Sequence, residues 1–131
     1  INAKDLPGLD TTGLSDPYVV ITLQPRILFQ NLRSQKTKII TKTLNPVFNS
    51  SFQFHNVLSE FLKKQGAAVQ ILVYDYDKLK RDDFVGEAVI PLSSIPQLNG
   101  NALAFERTPG MILPLKRPSM TEGPLKVSNS L

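Results

Sequence analysis

Three aspartates follow the end of an apolar run near the middle of the chain. The run ends at Val73-Tyr74, and Asp75, Asp77 and Asp83 come next, before a second apolar run begins at Phe84. Aspartate is depleted in strands, so several carboxylates at the end of one indicate a specific role. Calcium takes about six to eight oxygen ligands, many of them carboxylates. The spacing therefore predicts a strand, an acidic loop that binds a divalent cation, and a second strand.

A single loop of this kind cannot fill the coordination shell, so a second acidic loop is expected. One lies near the start of the chain, where Asp10 and Asp16 stand on either side of Gly13. Gly13 permits a tight reversal, and Pro17 fixes the exit of the loop before a predicted strand over residues 18–23. Aspartate and glycine are also ordinary turn residues. The presence of the other acidic loop favours metal binding.

Three blocks of the sequence resemble a C2 domain, the calcium-dependent membrane-binding module. They are LPGLDTTGLSDPYV (residues 6–19), KTLNPVFN (residues 42–49) and VYDYDKLKRDDFVG (residues 73–86). The blocks have the order and spacing of that family. Over nearly its whole length the chain also resembles the C-terminal C2 domain of Munc-type vesicle-priming proteins, with synaptotagmin-like C2 domains as the second choice. These resemblances imply calcium as the cofactor, anionic phospholipid membranes as the partner, and a role with SNARE proteins in exocytosis.

The resemblance also implies which residues form the site. The side-chain ligands would be Asp10, Asp16, Asp75, Asp77 and Asp83, and the backbone carbonyl ligands would be Leu9, Tyr76 and Arg81. Lys80 stands where many calcium-binding members have a serine, and an ammonium group cannot be a ligand, so a third ion is not expected. Asp82 is an additional carboxylate that is expected to point outward. At the loop tips, Leu79, Lys80 and Leu14 are expected to contact the membrane.

A run of alternating lysines follows the first predicted strand. Because successive side chains of a strand point to opposite faces, Lys36, Lys38 and Lys42 would share one face. One interpretation is an ordinary solvated sheet face. The other is a surface for phosphoinositide or protein, as the resemblance to C2 domains implies. The sequence leaves both open, and calcium-independent binding through this face is the alternative function.

Composition narrows the remaining classes of function. The 131 residues are expected to form one domain with formal net charge +4, no cysteine and no recognisable signal sequence, which fits the cytosol. The resemblance to vesicle-priming proteins implies a peripheral location at a vesicle or plasma membrane. No aromatic residues are interleaved with the lysines, so nucleic acid is not an expected partner. The Asp75-Tyr76-Asp77 triplet fits a loose metal motif of glycosyltransferases. However, the chain has no phosphate loop, nucleophile elbow or Cys/His pair, and an enzyme is not expected.

The predicted fold is all-β, an eight-stranded antiparallel sandwich with the acidic loops at one end. The C2 domain is assigned to residues 1–117 and a tail or linker to residues 118–131; the first strand is expected to begin before Ile1, and the isolated domain to be a monomer. Residues 47–54 and 111–115 are predicted strands, and residues 99–109 a loop. Two inward faces are predicted, Phe48, Phe52 and Phe54 in one strand and Phe84, Ala88 and Ile90 in another.

Overall fold

The computed structural model of this chain describes residues 1–8, 13–55, 57, 59–95, 97–98, 102–104 and 114–116. In this part of the chain the regular structure consists of strands and two short 3₁₀ turns, Ser59–Lys63 and Leu92–Ser94. The strands are β1 (Pro17–Gln24), β2 (Gln35–Lys36), β3 (Gln53–Phe54), β4 (Ala68–Asp75), β5 (Asp83–Pro91), β6 (Gln97–Leu98) and β7 (Ala102–Ala104).

The strands form two sheets in which every pair is antiparallel. One sheet has the order β2-β1-β4-β5 and the other β3-β7-β6. The predicted antiparallel all-β fold is therefore confirmed, although the described residues contain seven strands rather than eight. Within the same residues, no helix is long and apolar enough to cross a membrane.

One hydrophobic core draws side chains from both sheets. Alternate residues of β1, namely Val19, Ile21 and Leu23, are buried in the same cluster as Phe54 of β3. Antiparallel sheets with one face on the core show this inward-outward alternation. The cluster also contains Phe48 and Phe52, and the polar residues Asn49, Ser51 and Gln53 in this segment are exposed. The predicted inward phenylalanines are thus confirmed.

Two predicted strands are much shorter than expected. Residues 47–54 contribute only Gln53–Phe54 as a strand, and residues 36–42 contribute only Lys36, as the end of β2. In each segment one non-glycine residue has a left-handed backbone, with φ of 50° at Asn49 and 55° at Lys42. Both left-handed residues lie outside the short strands, Lys42 after β2 and Asn49 before β3. Residues 37–40 still run beside β1, because the N–H of Thr37 donates to the Val19 oxygen and the N–H of Ile40 donates to the Pro17 oxygen.

A β-bulge in the β4–β5 pair corrects a second prediction. Val73 pairs with Gly86, but Tyr74 pairs with Phe84, which leaves Val85 as an extra residue. Ala88 and Ile90 lie opposite Ile71 and Val69 on the core side, whereas the ring of Phe84 packs against that of Tyr74. The predicted shared face of Phe84, Ala88 and Ile90 is therefore wrong, because the inserted residue moves Phe84 to the outer face.

The C-terminal part of the chain differs from expectation where it is described. Ala102–Ala104, in the predicted loop, form β7 between β3 and β6. Of the predicted strand over residues 111–115, residues 111–113 lie outside the described part, and the neighbouring Lys116 forms an antiparallel bridge with Glu87. The whole segment assigned as a tail, residues 118–131, also lies outside it.

Two isoleucines provide a matched test of the core. Ile21 is 0% exposed and Ile27 is 79% exposed. Ile21→Ala is expected to lower the free energy of unfolding by about 2–5 kcal/mol, because it removes buried methylene groups and leaves a cavity. The control, Ile27→Ala, should change it by no more than about 0.5 kcal/mol. Urea denaturation followed by tyrosine fluorescence measures both, and equal effects would contradict this core.

Candidate functional site

Strand register brings the two acidic loops to the same end of the larger sheet. Pro17 at the start of β1 pairs with Asp75 at the end of β4, and Asp75 pairs in turn with Asp83 at the start of β5. Asp16 immediately precedes Pro17. Three of the predicted ligand residues therefore lie at the ends of three adjacent strands.

Hydrogen bonds fix the first acidic loop, before β1, against the loop between β4 and β5 (residues 76–82), which we call the third loop. The backbone N–H of Asp16 donates to Oδ1 of Asp75 over 2.8 Å, and the N–H of Tyr76 donates to the backbone oxygen of Asp16 over 3.0 Å. The N–H of Lys42 donates to Oδ1 of Asp16, also over 2.8 Å. Asp75 is only 5% exposed. The orientations of Asp16 and Asp75 are thus set by backbone groups from distant parts of the chain.

The carboxylates line one cavity of about 190 Å³. Its lining residues are Asp16, Asp75, Tyr76, Asp77, Lys78, Lys80 and Asp83. Four of the five predicted side-chain ligands are therefore together, and Tyr76 is beside them. Asp10 and Leu9 lie outside the described residues. Arg81 is exposed, and among the described residues it does not line this cavity.

The loop after β4 already satisfies its carboxylates from within. Oδ1 of Asp77 accepts the N–H groups of Leu79 and Lys80 over 2.8 and 3.2 Å. The Lys80 ammonium lies 4.0 Å from Oδ2 of Asp77 and 3.6 Å from Oδ2 of Asp83. In the described part of the chain no three acidic or histidine side chains are grouped as a ready metal cage. The donor type, clustered carboxylate oxygen, fits calcium, and ligation would require Asp77 and Asp83 to leave Lys80.

A second cavity, of about 280 Å³, lies on the other side of Tyr76. Its lining residues are Tyr18, Lys36, Thr37, Lys38, Ile39, Tyr76 and Asp82. We call it the basic cavity, and the first the acidic cavity. Lys36 and Lys38 both line this cavity, but so do Thr37 and Ile39 between and beside them, so the cavity does not separate the two faces that the alternation predicts. Lys42 lies in the left-handed turn beside Asp16 and does not line the cavity.

Asp82 does not point outward, contrary to expectation. Its Oδ2 accepts the hydroxyl of Tyr18 over 2.5 Å, and its Oδ1 accepts the N–H of Asp77 over 3.0 Å. The Tyr18 bond, the Asp77 amide and the charge of Lys36 hold the pKa of Asp82 below its usual range. Burial, followed by the bond to Asp82, raises the pKa of Tyr18. The carboxylate is therefore charged, and it links β1 to the backbone of the acidic loop.

Comparison with known proteins agrees with this geometry. The family model for the C2 domain matches residues 1–106. The chain belongs to the C2 domain family. It is 39% identical over 125 residues to the human protein unc-13 homolog D, which covers 95% of the chain and 11% of that protein. It is 40% identical over 95 residues to synaptotagmin-1 of Caenorhabditis elegans, which covers 72% of the chain and 20% of that protein. Both predicted groups of relatives, Munc-type and synaptotagmin-like, are confirmed. The chain spans a fifth or less of the length of each of these two relatives.

A solved C2 domain has the same fold. The crystal structure of a RIM C2 domain from Drosophila matches with a TM-score of 0.60 at 24% identity, covering 80% of this chain and 79% of that one. At this identity the likeness concerns the fold alone. It supports the sandwich on which the acidic and basic cavities of this C2 domain are built.

The two predicted apolar tips differ in exposure. Leu79 is 97% exposed, and it follows the hydrogen-bonded turn of Asp77. Leu14 is half-buried in the first loop and already has a contact within the domain. Of these two leucines, Leu79 is therefore the one whose side chain is exposed enough to enter a lipid phase.

The Tyr18–Asp82 hydrogen bond can be tested through its pH dependence. Because the folded pKa of Asp82 is lowered, the stabilisation is present above its ordinary value of 3.8 and is lost as the pH falls through the folded value. In EGTA, Tyr18→Phe is expected to lower the urea midpoint at pH 7, and the difference from wild type should shrink below pH 3.8.

Tyr74→Phe is the control for that experiment. Tyr74 stacks on Tyr18 with ring centroids 5.6 Å apart, so the variant removes a hydroxyl from the same column of rings and leaves the stacking. It should show no such pH-dependent difference. A Tyr18→Phe difference that stays constant with pH would contradict a bond to a charged Asp82.

Proposed function

We propose that this C2 domain binds anionic phospholipid membranes in a calcium-dependent manner, as a module of a vesicle-priming protein that acts with SNARE proteins in exocytosis. The observation that carries the proposal is the convergence of Asp16, Asp75, Asp77 and Asp83 on one cavity beside the exposed Leu79. Carboxylate oxygen is the ligand that calcium prefers. Membership in the C2 family supports that use of the cavity.

The acidic cavity would hold the ion through these four carboxylates and the backbone carbonyl of Tyr76, with Asp10 and Leu9 as further ligands from the first loop. Like charges at one pole repel each other when all are ionised. Bound calcium neutralises them and leaves a positive end that attracts lipid phosphate. Affinity for calcium alone is expected to be weak, with Kd of about 10⁻⁴–10⁻³ M, and to increase when lipid binds the same state.

The chain's own side chains would hold the membrane. Leu79 can enter the headgroup region, and Lys78 and Lys80 lie beside it on the same exposed loop. A basic residue near an anionic surface contributes about 1 kcal/mol at moderate salt. A single apolar tip predicts shallow and reversible insertion. The domain would therefore bind membranes peripherally, and we propose a cytoplasmic binding module without a catalytic role.

The cellular context of the proposal comes from the relatives. An unc-13 homologue and a synaptotagmin each match this C2 domain over only part of their length. The roles in vesicle priming, with SNARE proteins and in exocytosis are proposed for the longer protein of which this C2 domain would form part. The binding of calcium and membrane is proposed for the residues of this domain described above.

Vesicle sedimentation tests the main function. Wild type is expected to sediment with phosphatidylserine-containing vesicles in calcium and to remain in solution in EGTA. Asp75→Asn/Asp77→Asn should abolish sedimentation, because two negative charges that attract the ion are lost. The fold should be kept, because the amide oxygen at position 75 can still accept the Asp16 N–H.

Glu60→Gln is the control for the loss of negative charge. Glu60 lies in the 3₁₀ turn Ser59–Lys63, at the opposite end of the sandwich, and it is exposed. The Glu60→Gln variant should sediment with the vesicles in calcium to the same extent as wild type. Equal sedimentation of wild type in calcium and in EGTA would refute calcium dependence, and unfolding of the double variant by circular dichroism would assign the carboxylates a structural role instead.

The second candidate is calcium-independent binding of a phosphoinositide or an acidic protein at the basic cavity. The observation in its favour is the meeting of Lys36 and Lys38 in one concave surface. Against it stands Asp82, a charged carboxylate that lines the same cavity. A polyphosphate headgroup would meet a fixed negative charge there, which makes this function secondary.

Removal of that charge tests the second candidate. In EGTA, Asp82→Asn is expected to increase sedimentation with phosphatidylinositol-4,5-bisphosphate vesicles by about threefold or more, since one repulsive charge near the phosphates is lost. Lys36→Ala/Lys38→Ala in the Asp82→Asn background should remove the gain. Lys63→Ala/Lys64→Ala, which changes exposed lysines at the other end of the domain, should leave it. No gain in Asp82→Asn would argue against anion binding at this cavity.

A further inference from the structure

The acidic cavity contains a positive charge of its own. Lys80 lines it, and its ammonium lies between two carboxylates, 3.6 Å from Asp83 and 4.0 Å from Asp77. We propose that Lys80 is a tethered cation that occupies the acidic cavity at rest, competes with calcium for Asp77 and Asp83, and is released to lipid phosphate when calcium binds. This inference rests on the proposed function and specifies how the same site is regulated.

The position of Lys80 follows from the local backbone. Asp77 accepts the N–H of Leu79 and of Lys80, which closes a tight turn directly after the first carboxylate. Lys80 is three residues from Asp77 and three residues from Asp83, so its side chain can reach both. No large movement of the chain is needed to place the ammonium in the cavity or to remove it.

The strength of these ion pairs suits displacement. The side chains of Lys80, Asp77 and Asp83 are 64%, 30% and 41% exposed. Ion pairs at such exposed sites contribute little to stability, so a divalent ion can replace the ammonium. The Lys80 ammonium and a calcium ion would compete for the carboxylate oxygens of Asp77 and Asp83, and the two cations repel each other. Lys80 should therefore weaken calcium binding by about three- to tenfold.

Displacement changes what Lys80 can do next. Its neighbour Leu79 is 97% exposed, so the freed ammonium would lie at the surface that meets the membrane. Lipid phosphate is then an available anionic partner. Lys80 therefore opposes calcium binding in solution and favours membrane binding once calcium is bound. Removal of the Lys80 charge should therefore raise the affinity for calcium in solution and lower the binding to vesicles in calcium. A purely structural role would not change these two quantities in opposite directions.

Lys78 provides a matched control in the same loop. It lines the acidic cavity and is exposed, but among the described residues no ion pair of Lys78 with a carboxylate is formed. Lys78→Met removes the same charge without removing a competitor held between Asp77 and Asp83. The difference in calcium affinity between Lys80→Met and Lys78→Met separates direct competition by Lys80 from the effect of removing any positive charge from this loop.

The experiment is a calorimetric titration of the chain with calcium chloride in the absence of lipid. Lys80→Met should bind calcium about three- to tenfold more tightly than wild type, and Lys78→Met less than about twofold more tightly. Lys80→Arg keeps the positive charge and should restore wild-type affinity. With phosphatidylserine vesicles at saturating calcium, Lys80→Met should sediment less than wild type.

Each outcome decides a different statement. If wild type binds calcium and Lys80→Met binds it equally or more weakly, the tethered cation is refuted while the proposed function stands. If Lys78→Met gains as much as Lys80→Met, the effect belongs to the field of the loop and the specific competition is refuted. If no variant binds calcium in solution or with vesicles, the proposed function fails, and this inference fails with it.

Discussion

The antiparallel register of β1 and β4 is the constraint on which the candidate site depends. It sets Pro17 opposite Asp75, so Asp16 and the whole third loop leave the sheet at the same end. The bond from the Asp16 amide to Asp75 then fixes the approach of the two loops at 2.8 Å. A shift of one residue would turn Val19, Ile21 and Leu23 out of the core, so burial of these side chains protects the register. The hydrophobic core and the acidic cavity are thus specified by the same pairing.

Each of the two cavities contains a charge of the sign opposite to its own, and both of these charges come from the loop between β4 and β5. Lys80 lies in the acidic cavity and Asp82 lies in the basic cavity, two residues further along. Each cavity is therefore partly neutralised from within. In the acidic cavity a cation would have to displace Lys80 from Asp77 and Asp83. In the basic cavity Asp82 is held by Tyr18 and the Asp77 amide and would oppose an anionic ligand. An internal charge of opposite sign lowers the net affinity of either cavity for its ligand.

Much of the fold and part of the site could be predicted from the sequence. The alternation of Phe48, Phe52 and Phe54 indicates an inward face because burial follows side-chain chemistry. The aspartates could be assigned to one end because strand ends follow the apolar runs. The course of the backbone between those points could not be predicted. Asn49 and Lys42 adopt left-handed backbones, and the N–H of Lys42 donates to Asp16. No periodicity in the sequence marks these turns, because they depend on contacts with residues far along the chain.

The outer face at this end of the larger sheet has an arrangement that the alternation in the sequence does not show. Strict alternation would place Phe84 in the core with Ala88, but the extra residue moves it to the outer face, where it continues the ring column of Tyr18 and Tyr74. Tyr74 packs on both of the other rings, and the Tyr18 hydroxyl bonds to Asp82. Through its second oxygen Asp82 accepts the N–H of Asp77, so a residue of the basic cavity is bonded to a residue of the acidic cavity. Asp82 therefore joins Tyr18 of β1 to the loop whose residues line both cavities.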